Sequence, residues 1–413
     1  MGTARAHPRP KSTSNPDPLI TSKSSPATAQ PELVRVLHVL EATLGGTGRV
    51  VPALARAQSL AGAAVGFAYS RTRADDGFLR QLATLPADGV ECFECQMWRN
   101  PLPWRDVQSA GALIQIVKQF RPDILHLHAS KAGMLGRLLY GFRRRPLVVY
   151  QPHGFSYLRR GPMYSMLYRT AEVATARLVD VCLVVSSAER DAATHGPLGW
   201  PTQMEVVPNI VEITPADAAR AREIRKALGV KDGERIALYL GRLAAGKRID
   251  DLIRAVQQVR AAGHRWHAVI AGEGALRRPL EELARGNGLG EFIHFGGFQQ
   301  ETQNWIAAAD CLVHPSSFEA FGVAVAEAMM VGRAVIASDI PSMRELIEPG
   351  VTGVLYPCGN VTELGNRLIA LSTDPALIVR MGRAGLERSD RFSAKPVAAA
   401  HIAVYLHLLK GEG

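Results

Sequence analysis

The chain has 413 residues, 47% hydrophobic and 21% charged, enough for one large or two ordinary cores and too apolar for a wholly disordered protein. Its formal charge of +10 is uneven: residues 1–211 carry +9 and residues 212–413 carry +1. That split points to an anionic partner for the first half, and without any helix-turn-helix, zinc-finger or RNA-recognition pattern, nucleic acid is not expected to be it.

The first 31 residues are rich in Pro, Ser, Thr and basic residues without apolar periodicity, and are expected to form a disordered basic tail. They contain no secretory apolar core, and no stretch reaches the length of a membrane-spanning helix, so a cytoplasmic protein is expected. Apolar runs at 34–40, 64–69 and 90–95 predict strands, with a helix at 49–61. A striped helix follows at 106–120, then strands at 124–128, 147–150, 181–185 and 205–207. The second half repeats the rhythm, with strands at 235–240, 267–271, 292–295, 311–314 and 334–337. This alternation predicts an α/β protein of two doubly wound domains, each a parallel sheet covered on both faces. The junction is placed near 209–215, with domains at 32–211 and 212–395 and a last helix starting at 396. The five cysteines are scattered through mostly apolar runs, as reduced core thiols would be.

The densest chemistry lies between His314 and Gly332. Glu319 falls in a loop before a small-residue helix, and Glu327 sits about a turn and a half inside it. The first amides of that helix, near Phe321-Gly322, carry the positive end of the helix dipole, so a diphosphate fits there. Two carboxylates beside a phosphate need a reason, and sugar hydroxyls give one: Glu319 would face a sugar and Glu327 a ribose. A capped helix with two solvated glutamates is the plain alternative. Arg242 and Lys247 occupy the loop after the strand at 235–240, where they can neutralise a diphosphate leaving group without a metal. The loop after the first strand holds Gly45 and Gly46, but Val51 breaks the G-x-G-x-x-G fingerprint and Ser70-Arg71 replaces the ribose-binding acid, so dinucleotide binding is not expected. His153 ends a strand, where it can bond a sugar hydroxyl or polarise a reacting group. His126 and His128 share one face of a strand leading to Lys131, a candidate for an acceptor phosphate. Arg143, Arg144 and Arg145, then Arg159 and Arg160, are the densest basic clusters.

Gly241-Arg242-Leu243 with Lys247, then Ser316, Glu319, Phe321-Gly322 and Glu327-Ala328-Met329, resemble in order and spacing glycosyltransferase family 4, the retaining GT-B enzymes. Val207-Pro208-Asn209-Ile210-Val211 and Glu345 with Gly350 and Gly353 add to the likeness, which spans residues 34–395 and is strongest from 236 to 357. Arg248 and Ile210 depart from it, standing where the family commonly has glycine. The resemblance implies a GT-B fold with a cleft between two Rossmann-like domains, the terminal helix 396–413 crossing back to the first. It implies a metal-independent, retaining hexosyltransferase with no cofactor and no metal ligands, taking a nucleoside diphosphate sugar. Glu319, Arg242, Lys247 and His153 would be catalytic. Gly45, Gly46, Arg242, Lys247, Phe321, Gly322 and Glu327 would bind the donor. The charge split and the basic clusters, rather than the resemblance, suggest a saccharide or lipid-linked acceptor, such as a polyprenyl carrier in surface polysaccharide biosynthesis, meeting Lys131 and Arg143–Arg145 at the inner face of an anionic membrane. A GT-B nucleotide-sugar epimerase, a phosphorylase-like enzyme with pyridoxal phosphate, and a non-catalytic sugar-nucleotide-binding protein are the competing readings.

Overall fold

The structure, a computed structural model, describes residues 34–100, 102–159, 162–195 and 199–411. The expected tail, Arg160 and the side chain of Arg159 lie outside the described residues.

Short apolar runs bounded by turns form a first sheet of β1 (Arg35–Leu40), β2 (Ala64–Tyr69), β3 (Val90–Glu94), β4 (Ile124–His128), β5 (Leu147–Gln151), β6 (Val181–Val184) and β7 (Met204–Val206). They lie in the order β3-β2-β1-β4-β5-β6-β7, each pair parallel. A second sheet holds β8 (Arg235–Leu240), β9 (Trp266–Ala271), β10 (Ile293–Gly297), β11 (Cys311–His314), β12 (Ala334–Ser338) and β13 (Val354–Tyr356). Its order is β10-β9-β8-β11-β12-β13, again parallel throughout. Parallel strands covered on both faces need near-continuous apolar sequence, and β6 and β11 are buried from end to end. Leu37, Val39, Leu125 and Leu127 enter one apolar layer of the first sheet; Val36, Leu40, Ile124 and Val149 enter the other.

Strand order reverses between β1 and β4 in one sheet and between β8 and β11 in the other. Loops leaving those strands turn to opposite faces and open a crevice at their carboxyl ends. Periodicity could not single out β13, whose three residues are too few to show one.

The terminal helix begins at Ala394, earlier than expected, because Pro396 is tolerated in its first turn, where no intrahelical partner exists for the missing N–H. Val397 and Ala398 pack with Val50, Ala53, Leu54 and Ile210, and Val404 and Tyr405 join the core around Val36 and Leu40. One expectation needs correcting. The helical run Pro375–Leu409 is 35 residues long with a window of mean hydropathy 1.2, so one stretch does reach spanning length and apolarity. The 3-10 turn at Asp390–Phe392 interrupts it, and Val397 and Ala398 pack against the helix Gly46–Leu60, while Val379, Leu386 and Leu406 stay exposed. All five cysteines are free.

Candidate active site

Two loops of the second sheet meet at Glu319. The loop after β8 brings Lys247, whose ammonium pairs with Glu319 Oε1. The same oxygen accepts from His314 Nε2 at 3.0 Å and from Ser316 Oγ at 3.3 Å. Gly246 O accepts from the Ser317 amide at 2.8 Å and from its hydroxyl at 3.1 Å, so the loops are fastened together. Burial alone would push the Glu319 carboxyl up, but the His314 bond and the Lys247 charge outweigh it and hold the group well below the carboxylate range. Glu319 is therefore an anion at neutral pH. Arg242 is exposed, its carbonyl fixed by Tyr239 OH at 2.9 Å, and among the described residues no carboxylate pairs with its guanidinium. Arg248 keeps the left-handed backbone (φ 50°) that favours glycine, and is clamped to Asp251 at 2.6 and 3.0 Å. The departure from the family pattern therefore leaves the glycine-like turn intact.

Gly322, at φ 100°, caps the helix Val323–Met330. The amides of Val325 and Ala326 reach back to Gly322 O at 3.0 and 3.1 Å, so those of Val323 and Ala324 precede the first intrahelical bonds. The Phe321 ring is buried edge-on against Phe392. Glu327 is 1% exposed. Burial pushes its carboxyl up, and Arg49, from the first domain's helix Gly46–Leu60, pulls it back. Arg49 Nη2 lies 2.5 Å from Glu327 Oε1, close but poorly directed, so this buried oxygen keeps capacity to accept a hydroxyl.

Across the crevice, Gly45 takes φ 80° before that helix, and neither Gly45 nor Gly46 has a neighbour within 4 Å of a Cβ, so the loop presents open space. His153 follows β5 in a left-handed conformation, φ 53°. Both its ring nitrogens are bonded, Nδ1 to Asn209 Oδ1 at 3.0 Å and Nε2 to His128 Nδ1 at 2.9 Å. The domains are also joined directly. Glu345 accepts from the amides of Ser187 and Ala188 at 2.9 and 2.7 Å, and Ser186 Oγ donates to Ala320 O at 2.6 Å.

The structure thus brings Lys247 to Glu319 and lines up Gly322 and Glu327 on one helix. It does not bring the acceptor candidates together. Lys131 opens the helix Ala129–Tyr140 and is paired with Asp106 at 2.5 Å. Arg143–Arg145 lie exposed past that helix's far end, about 18 Å along its axis. Sequence reasoning missed His314 and Arg49. His314 ends a strand beside the loop it serves, a signal that was available. Arg49 carried none, because its partner lies in the other domain.

Two doubly wound parallel sheets meeting at such a crevice define the GT-B class of transferases. Residues 44–214 match the Glycosyltransferase Family 4 model and residues 220–388 match that of Glycosyl transferases group 1, and the chain belongs to this glycosyltransferase family. It is similar to the putative glycosyltransferase EpsD of Bacillus subtilis, 27% identical over 73% of this chain and 81% of that one. It is also similar to the UDP-Gal:alpha-D-GlcNAc-diphosphoundecaprenol alpha-1,3-galactosyltransferase of Escherichia coli, 25% identical over 68% of this chain and 74% of that one. Among solved structures, Anabaena HepE in complex with UDP and glucose superposes with TM-score 0.75 at 21% identity, over 90% of this chain and 99% of that one, a likeness of fold.

Proposed function

We propose that the crevice transfers a sugar, with retention, from a nucleoside diphosphate donor bound by the second domain to an acceptor held by the first. The observation that carries this is Glu319, kept ionised by Lys247 and His314 beside the Gly322 helix start. A carboxylate–ammonium pair of this kind can separate, the ammonium to a diphosphate and the carboxylate to sugar hydroxyls. As the bond between the anomeric carbon and the phosphate oxygen breaks, its electron pair leaves with the diphosphate. Arg242, Lys247 and the amides of Val323 and Ala324 stabilise that charge without needing a metal or cofactor. The acceptor oxygen attacks from the face the phosphate leaves, and its proton passes to the departing phosphate oxygen. Glu319 acts as an electrostatic and hydroxyl-binding group. Glu327 accepts from the ribose, while His153, with both nitrogens engaged, orders the first-domain wall.

For the acceptor we infer a lipid-linked saccharide or polyprenyl carrier, used in surface polysaccharide assembly at the cytoplasmic face of a membrane. The galactosyltransferase relative is named for a diphosphoundecaprenol-linked sugar. Support from this chain is the exposed Arg143–Arg145 run directly after Phe142, itself 81% exposed. Apolar side chains among arginines suit an anionic lipid interface. The donor half is tested by thermal unfolding against a panel of nucleotide sugars. At least one should raise the wild-type midpoint by several degrees and leave Lys247→Ala unmoved. No stabilisation by any of them would sink the donor assignment.

A further inference from the structure

Three histidines stand on the first sheet where parallel strands ordinarily bury Val or Ile. His38 in β1 and His126 and His128 in β4 share the face with Val36, Leu40 and Ile124, and all three are fully buried. Their nitrogens lie within 4.8 Å of one another, but hydrogen bonds already account for most of them. His153 Nε2 meets His128 Nδ1 at 2.9 Å, His128 Nε2 meets His38 Nδ1 at 2.9 Å, and His38 Nε2 meets Gln58 Oε1 at 2.8 Å. At the crevice end His153 Nδ1 meets Asn209 Oδ1. At the inner end Gln58 Nε2 donates to Tyr405 OH at 3.1 Å, with the amide oxygen facing His38. Tyr405 OH also bonds His126 Nδ1 at 2.7 Å, so the terminal helix closes the run.

With an amide oxygen facing the ring at each end, the hydrogens of the run can be counted. Four hydrogen bonds string three imidazoles between two amide oxygens, and each bond needs one hydrogen. A neutral imidazole brings one, so three neutral rings supply three. The run as built holds one hydrogen more. Burial pushes His38 down to about 3 and His128 well below its ordinary value, so neither of these rings keeps a charge. His153 is the member at the crevice wall, 8% exposed.

We propose that His38, His128 and Gln58 form a positioning relay that holds His153 as an imidazolium, giving the first domain a cation at the crevice that needs no lysine or arginine. The relay is directional. With an acceptor oxygen at each end, every neutral ring must point its N–H away from His153, and the second hydrogen must stay on His153. Removing the inner oxygen removes the need for the fourth hydrogen, although Gln58 lies three hydrogen bonds from His153. Its value at the crevice rests on the transferase reading, since a diphosphate is what a cation there would attract.

The test is ring 15N NMR of histidine-labelled protein above the ordinary histidine pKa of about 6.5. Assignment uses His128→Asn and His153→Asn. The wild type should show one relay ring with hydrogen on both nitrogens, and Gln58→Leu should lose that signature while keeping the fold. Gln58→Glu, which restores an acceptor oxygen, should bring it back and rescue the Gln58→Leu fall in kcat of about tenfold, the scale of one charge-assisted bond. Three neutral rings in the wild type would overturn the relay, as would a signature that survives Gln58→Leu or one stoichiometric zinc per purified chain. The spectra need no donor, so failure of the relay and failure of the transferase reading are separate results.

Discussion

Glu319, partly buried, and Glu327, fully buried, are carboxylates near one helix, yet their surroundings push them apart. Glu319 has three cationic or hydrogen-donating partners, Lys247, His314 and Ser316, and stays well below the usual range, whereas Glu327 is raised by burial, which Arg49 only partly offsets. The first suits a reacting centre where positive charge develops; the second suits a hydroxyl that changes little during reaction. Glu327→Ala is therefore expected to raise donor KM about tenfold or more with kcat nearly unchanged, the pattern of lost uniform binding. Arg49 is partly exposed, so losing its partner strands no buried cation. Steady-state kinetics with the active donor decide it: a fall in kcat at unchanged KM would contradict a ribose role. Glu319 and Lys247 were legible from sequence because each lies in a loop at a strand end. Arg49 was not, since an ion pair between residues 49 and 327 leaves no local pattern.

Elements were legible where apolar runs were long enough to show a period. β1, β2, β4, β8 and β11 follow the predicted runs closely, because strands covered on both faces read as continuous apolar stretches. Helix starts were less so: the first helix begins at Gly46 rather than 49, its opening turn glycines and threonine rather than apolar residues. The histidines of β4 were visible as an alternating pair, but their partners on β1, β5 and the terminal helix come from register and packing. Beyond the helix Ala129–Tyr140, Phe142 and Arg143–Arg145 form an exposed turn in which Arg143 lies over the Tyr140 ring and Arg145 reaches Asp123. Attraction to anionic lipid is on the order of 1 kcal/mol per basic residue and is screened by salt. Sedimentation with vesicles containing anionic lipid should show binding at low salt that weakens markedly at high salt. It should weaken again when Arg143, Arg144 and Arg145 become glutamate. Indifference to anionic vesicles at low salt would remove the membrane-facing part and leave the transferase core.

At the scale of the whole molecule, the chain places two reversals of strand order opposite each other and fastens the domains with Glu345 on the Ser187 and Ala188 amides, Ser186 on Ala320, and the terminal helix against Gly46–Leu60. Except for His153, which follows β5, the donor and catalytic candidates fall at the carboxyl end of a strand next to a reversal or on the helix that follows it. Release of nucleoside diphosphate from a panel of nucleotide sugars bears most directly on whether this crevice is the transferase centre, measured for wild type, Glu319→Gln and Lys247→Ala. Both residues lie in crevice loops, so the variants should fold normally, as circular dichroism would show. The wild type should release diphosphate from at least one donor, and each variant should do so at least about a hundredfold more slowly, the scale of losing one transition-state stabiliser. Near-normal release by either folded variant, or none from any donor by the wild type, would contradict it.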